Sequence, residues 1–79
     1  MIPPGDHGAV YISRGKHKGS VAWYDDDSLD GAIVYLGRPF TSAYLVLPYE
    51  YLSRVDLKMK QVRSWVINNP DIAIAYGLE

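Results

Sequence analysis

Two adjoining charged clusters hold most of the groups in this chain that could do chemistry. Between His7 and Tyr24 stand three cations, Arg14, Lys16 and Lys18, with His17 among them and no acid. Directly afterwards, Asp25, Asp26, Asp27 and Asp30 place four carboxylates within six residues. Cations on a glycine-bounded tip, Arg14-Gly15-Lys16-His17-Lys18-Gly19, suit contact with phosphate. Carboxylates in a row suit a divalent cation. Here, however, Asp25 to Gly31 lacks the alternating Asp spacing and the distal Glu of a calcium loop, so no metal site is expected. The plainer expectation is two solvated loops of opposite sign.

Catalytic constellations are not legible. His7 and His17 are the only histidines and lack metal-ligand spacing with each other. The chain has no cysteine and no Gly-x-Ser-x-Gly elbow. A carboxylate pair within Asp25–Asp27 on a wet loop has neither the desolvation nor the pocket that would separate two pKa values. The reading is a protein that is not an enzyme and carries no cofactor.

The elements that position these groups are strands. Val10 and Ile12 alternate with polar or aromatic neighbours until Arg14-Gly15, and an apolar run restarts at Val21 after Gly19. That pattern predicts a hairpin of strands over 9–13 and 20–24, with glycines where positive φ or close approach is needed. Residues 25–31 have loop composition. Ala32 to Leu36 and Ser42 to Leu47 predict two more strands, stopped at Gly37-Arg38-Pro39 and at Pro48. Pro48-Tyr49-Glu50-Tyr51-Leu52 is too short for an α-helix and reads as one 3₁₀ turn leading into a fifth strand over 52–55.

Strands three and four are apolar on both faces, so something must cover the second face. The tail is the expected cover. Leu57 to Asn68 reads as a helix capped by Asp56, with Val55, Met59, Val62 and Val66 on one stripe beside Trp65. Asn69-Pro70 to Tyr76 reads as a second short helix with Gly77 at its end. The alternation of Ile72 and Ile74 leaves a strand as the other option.

Seventy-nine residues, 48% hydrophobic and 13% aromatic, make one domain too apolar for disorder. A chain of this length buries only roughly 60–65% of its unfolded surface. The divisions are an extended, mobile Pro/Gly-rich lead-in over 1–8, a β-barrel over 9–55 and a helical tail over 56–79. Without a run of about 18 apolar residues, no membrane span is expected. The start has no signal-peptide pattern, and the missing cysteines fit a reducing cytoplasm. A net charge of −1 gives no overall attraction to nucleic acid.

Val10-x-Ile12-x-x-Gly15-Lys16-His17-Lys18-Gly19-x-Val21 resembles the KOW pattern of ribosomal and transcription-elongation proteins over about fifteen residues. The order of elements is also similar to the plasmid-borne type II dihydrofolate reductases, which are SH3-like barrels. The matching pieces are Gly19-Ser20-Val21-Ala22-Trp23-Tyr24, Gly31-Ala32-Ile33-Val34 and Leu45-Val46-Leu47-Pro48. The resemblance implies a mostly β (α+β) fold, a five-stranded SH3-like antiparallel barrel with a C-terminal helix packed on it. It does not bring the reductase activity. That family catalyses through Val-Gln-Ile-Tyr before the proline, where this chain has Tyr44-Leu45-Val46-Leu47, and its first-strand lysine falls on Ile12.

Aromatic residues complete the reading. Trp23, Tyr35 and Tyr44 are expected to pack within the sheet, and Tyr11, Tyr24, Tyr49 and Tyr51 to be partly exposed. The expected binding residues are therefore Arg14, Lys16, His17, Lys18, Tyr24, Tyr49 and Tyr51. The expected role is a small cytoplasmic protein-binding module that takes a protein partner or forms a homo-oligomer. The alternative is a KOW-like nucleic-acid-binding domain using the Arg14–Lys18 loop, with Tyr24 stacking on bases.

Overall fold

The structure, a computed structural model, describes residues 2–38 and 43–78. Its five strands are β1 (Gly8–Ile12), β2 (Val21–Ser28), β3 (Gly31–Tyr35), β4 (Tyr44–Leu47) and β5 (Leu52–Arg54). A 3₁₀ turn over Tyr49–Tyr51 joins β4 to β5, as Pro48 and the short segment after it predict. Two helices close the chain, α1 (Lys60–Asn68) and α2 (Pro70–Ala75). All strand pairs are antiparallel, in the order β4-β3-β2-β1-β5. Among the described residues β4 and β5 do not pair with each other, so the sheet is open. No described helix is long and apolar enough to cross a membrane.

Both glycine positions that open the fold have physical reasons. Gly15 sits at φ +84°, and a Cβ there would come within 2.7 Å of the Tyr51 ring. Gly31 sits at φ +145°, and a Cβ would come within 2.3 Å of the Leu47 carbonyl oxygen. Any side chain at Gly31 would push β3 off β4.

Period-two alternation gives the sheet two apolar faces. On the inner face Val10, Ile12, Ala22, Tyr24, Ala32, Val34 and Leu52 are buried, with Leu36, Leu45, Leu47 and Tyr49 packed against them. Ile2 joins this cluster at 2% exposure. Ile2 of the lead-in is thus part of the core, while residues 3–7 stay exposed. Asp6 N–H donates to the Pro3 carbonyl at 3.2 Å, turning the chain so that Ile2 reaches the core. A lone apolar residue ahead of two prolines has no period to betray it.

On the outer face Tyr11, Val21, Val62 and Tyr76 form a second buried cluster, lined by Ala9, Trp23, Val55, Met59, Trp65, Val66, Ile72 and Leu78. The apolar stripe of α1 is therefore seated on the sheet. Its target differs from expectation, because the tail covers the outer face of β1 and β2, not that of β3 and β4. The path of the chain explains the difference. The tail leaves from β5, which neighbours β1, and five linking residues span at most about 17 Å. Strands lie about 4.8 Å apart, so the nearest outer surface is β1–β2.

Other boundaries also move. β2 continues to Ser28 where a loop was expected from Asp25, and its aspartates pair with β3, Asp26 opposite Ile33 and Asp27 opposite Ala32. α1 begins at Lys60, not Leu57. Asp56 does not cap it; its carboxylate accepts from Lys58 N–H at 2.9 Å in a preceding turn, and the N-cap is Met59 with no side-chain bond. Residues 70–75 are helix, with Pro70 at the first turn. Gly77 at φ +75° ends it: Gly77 N–H donates to Ile74 O and Leu78 N–H to Ala73 O, which is a Schellman motif. Residues 42 and 43 were expected at the start of strand four; Ser42 lies outside the described residues, and β4 begins at Tyr44.

Candidate functional sites

The seven residues expected to form one binding surface divide between two places. Arg14, Lys16, His17 and Lys18 occupy the turn between β1 and β2, where Ile12 N–H donates to Ser20 O at 2.8 Å and Gly19 N–H to Ile12 O at 2.9 Å. Arg14, Lys16 and Lys18 are exposed, and His17 is half-buried. Tyr51 belongs with them. Its ring lies over Gly15, and its carbonyl accepts from Ser13 N–H at 2.8 Å and from the Ser13 hydroxyl at 3.1 Å. The basic tip therefore rests on a fixed aromatic ring.

Tyr24 and Tyr49 lie elsewhere, around Asp27. An irregularity in the β2–β3 pairing between Tyr24 and Asp26 makes Asp25 an extra residue and turns Asp27 to the same side as Tyr24. The Tyr24 hydroxyl donates to Asp27 Oδ1 and accepts from Gly5 N–H at 2.9 Å. Tyr49 donates to the same oxygen at 2.6 Å, and His7 Nε2 lies 3.0 Å from Oδ2. The His7 ring meets the Tyr24 ring edge-on at 4.7 Å. These bonds, those from Tyr24 and Tyr49 first, hold the Asp27 carboxyl well below the usual carboxylate range. Burial and the Asp27 bond push the Tyr24 phenol up, and the Asp27 bond pushes up that of Tyr49.

Tyr24 is fully buried, which removes it from any exposed stacking surface. Tyr11 is buried as well, at 6% exposure, beneath α1. The aromatic expectation is thus inverted in part, because Tyr44, expected inside, is 56% exposed. The alternation is right, but the coverage of each face depends on where the tail comes to rest. His7, Asp26 and Asp27 bring three ligand-type atoms within 4.8 Å of one another, all on exposed residues. Both Asp27 oxygens and the His7 Nε2 are already engaged, so a cation would have to break those bonds. The arrangement works as a clasp joining the lead-in, β2 and the 3₁₀ turn.

Two further surfaces were not singled out from sequence. The outer face of β3–β4 pairs Tyr35 with Tyr44 and Ile33 with Val46. The two tyrosine rings meet edge-on at 6.4 Å. Val46 is 40% exposed, and no charged residue stands in β3 or β4. Along the other half of the molecule, Gly19, Lys60, Gln61, Ser64, Trp65, Asn68 and Asn69 line an open groove of about 490 Å³ between the basic tip and α1. Trp65 is stacked on Tyr76 at 5.5 Å and 14°, and Tyr76 also meets Trp23 at 5.4 Å. The i, i+4 spacing of Lys60, Ser64 and Asn68 could have revealed this polar face of the helix, but only the fold shows that the face meets the basic tip.

Comparison of the chain with protein-family profiles, with curated proteins and with solved structures returns no match.

Proposed function

We propose that the chain is a non-catalytic protein-binding module with an SH3-like barrel fold, and that it self-associates through the outer face of β4 and the edge of β4 that has no strand partner among the described residues. The meander order β4-β3-β2-β1-β5 and the 3₁₀ turn before β5 support the SH3-like reading. The observation that carries the functional reading is the uncharged strip at the β4 side of the sheet, where Tyr44 is 56% and Val46 40% exposed beside half-buried Ile33 and Tyr35.

Edge strands that must stay single are usually protected by charge, proline within the strand, or a covering segment. Tyr44-Leu45-Val46-Leu47 has no charge and no proline, and among the described residues its only strand partner is β3. A second copy fits this edge. Antiparallel apposition about a two-fold axis sets each β4 against its mate, continues the sheet, and lays two identical apolar patches side by side. With four residues per edge the association is weak and concentration-dependent.

Sedimentation velocity over a wide concentration range tests the reading. The intact chain is expected to shift towards dimer as concentration rises, and Val46→Lys to hold it monomeric with an unchanged melting temperature. A strict monomer at the highest concentration, or a dimer indifferent to Val46→Lys, would overturn it.

A further inference from the structure

We propose that the groove between the 14–19 turn and α1 is a binding site for single-stranded nucleic acid, one that is separate from the β4 surface. Its composition is the argument. Of the seven lining residues, one is a cation (Lys60), one a tryptophan (Trp65), and four offer amide or hydroxyl groups (Gln61, Ser64, Asn68 and Asn69). None is acidic.

Trp65 is the stacking platform. Tyr76 lies on the indole at 14° and is itself buried, so the ring is held in one orientation while remaining half-exposed to the groove. A base laid on such a ring loses little side-chain freedom, and every base has a face to stack. Asn69 is fixed as well, since its Nδ2 donates to the Trp65 carbonyl at 2.9 Å. That bond leaves its side-chain oxygen as an acceptor beside the platform. Gln61 and Asn68 are exposed on the same helix and offer both donors and acceptors to base edges.

Phosphate recognition comes from the end of the groove where Gly19 meets Lys60. Lys16 and Lys18 precede that glycine on the exposed turn, and with Lys60 they are the cations offered to phosphate. From Lys60 to Asn68 the helix rises roughly 12 Å, room for about three bases at a ~3.4 Å stacking rise. Past Asn69 the surface continues to Asp71 and Arg38, one carboxylate and one cation. The proposed strand lies along the stretch between Gly19 and Asn69. An acidic peptide would share the charge attraction but would leave the tryptophan and the amides without a matching planar, hydrogen-bonding group.

The test is fluorescence anisotropy of the intact chain with a labelled, mixed-sequence single-stranded DNA about twelve nucleotides long, and with its RNA counterpart. Binding is expected at low salt. Its logarithmic salt slope should be near −2 for three phosphate contacts, and Lys60→Ala should reduce the slope by about 0.7. Asn68→Ala and Gln61→Ala, both at exposed positions, should weaken binding several-fold without moving the melting temperature. Trp65→Leu, which keeps apolar contact with Tyr76, should weaken it roughly tenfold or more. The β4 variant Val46→Lys should bind as the intact chain does. The proposal is overturned by absence of binding at low salt, by a slope unchanged in Lys60→Ala, or by polyglutamate displacing the strand as well as unlabelled oligonucleotide does.

Discussion

Tyr76 is the residue through which the tail grips the sheet, and its replacement gives the sharpest stability forecast. The side chain is 5% exposed, lies between the rings of Trp23 and Trp65, and its hydroxyl donates to Gly37 O at 2.5 Å with Tyr35 O at 3.2 Å. Tyr76→Phe keeps both ring contacts and removes only the donor, so the expected cost is about 1–2 kcal/mol, the bond plus a carbonyl left short of its partner. For a domain of this size, each kcal/mol lowers the melting temperature by about 4–8 °C. Tyr76→Ala also removes a buried ring, worth about 3–5 kcal/mol, and two aromatic pairs at about 0.5–1.5 kcal/mol each. Those ring terms overlap, and their sum reaches the whole stability of a small domain. Thermal melts followed by tryptophan fluorescence measure both variants directly. If Tyr76→Phe melts with the intact protein and Tyr76→Ala loses less than about 1 kcal/mol, α2 is not docked, and the account of the outer core fails.

Four further measurements probe the fold. The depressed Asp27 carboxyl contributes stability that is complete above the ordinary carboxylate pKa and is lost as pH falls through the folded value; Asp27→Asn should therefore flatten the acid limb of a stability-versus-pH curve below about pH 4. Tyr76 behaves oppositely, since burial pushes its phenol up to about 12. Its contribution is complete below the free phenol value near 10 and is lost as pH rises from about 10 through 12. Absorbance titration should show late-ionising tyrosines and Tyr76→Phe should lose one of them. Gly31→Ala sets a Cβ against the Leu47 carbonyl at a φ that side chains avoid, and denaturant melts should show a loss of about 2 kcal/mol or more. Removing residues 56–79 would bare Tyr11, Val21 and Trp23, and the remaining sheet should aggregate on size-exclusion chromatography.

The local elements were legible because their signals are local. Val10 and Ile12, the bracketing glycines, Pro48 and the stripe Val55-Met59-Val62-Val66 each act within a few residues, and the structure places the hairpin, the 3₁₀ turn and the amphipathic helix accordingly. What the sequence could not show was coverage. Whether Tyr11 or Tyr44 ends up exposed depends on where the tail lands, and that is set by the neighbour relation of β5 and β1. The Asp27 clasp was hidden for another reason. A run of three aspartates reads as a loop, and only the irregular pairing beside Asp25 turns the third one towards two tyrosines. The groove beside Trp65 needed both the turn and the helix in place before its lining came together.

The half-covered sheet also sets a gradient of opening rates across the molecule. β1 is paired on both sides and lies under the helices, so its amides should exchange with solvent only when the whole domain unfolds. β4 is four residues long, pairs only with β3 among the described residues and exposes Tyr44 and Val46 on its outer face, so it can peel from β3 while the rest stays folded. Hydrogen exchange would then fall into two classes, slow at the centre and fast at the β4 margin. A partner seated at that margin slows only the fast class, and its arrival can be read from β4 with β1 as an internal clock.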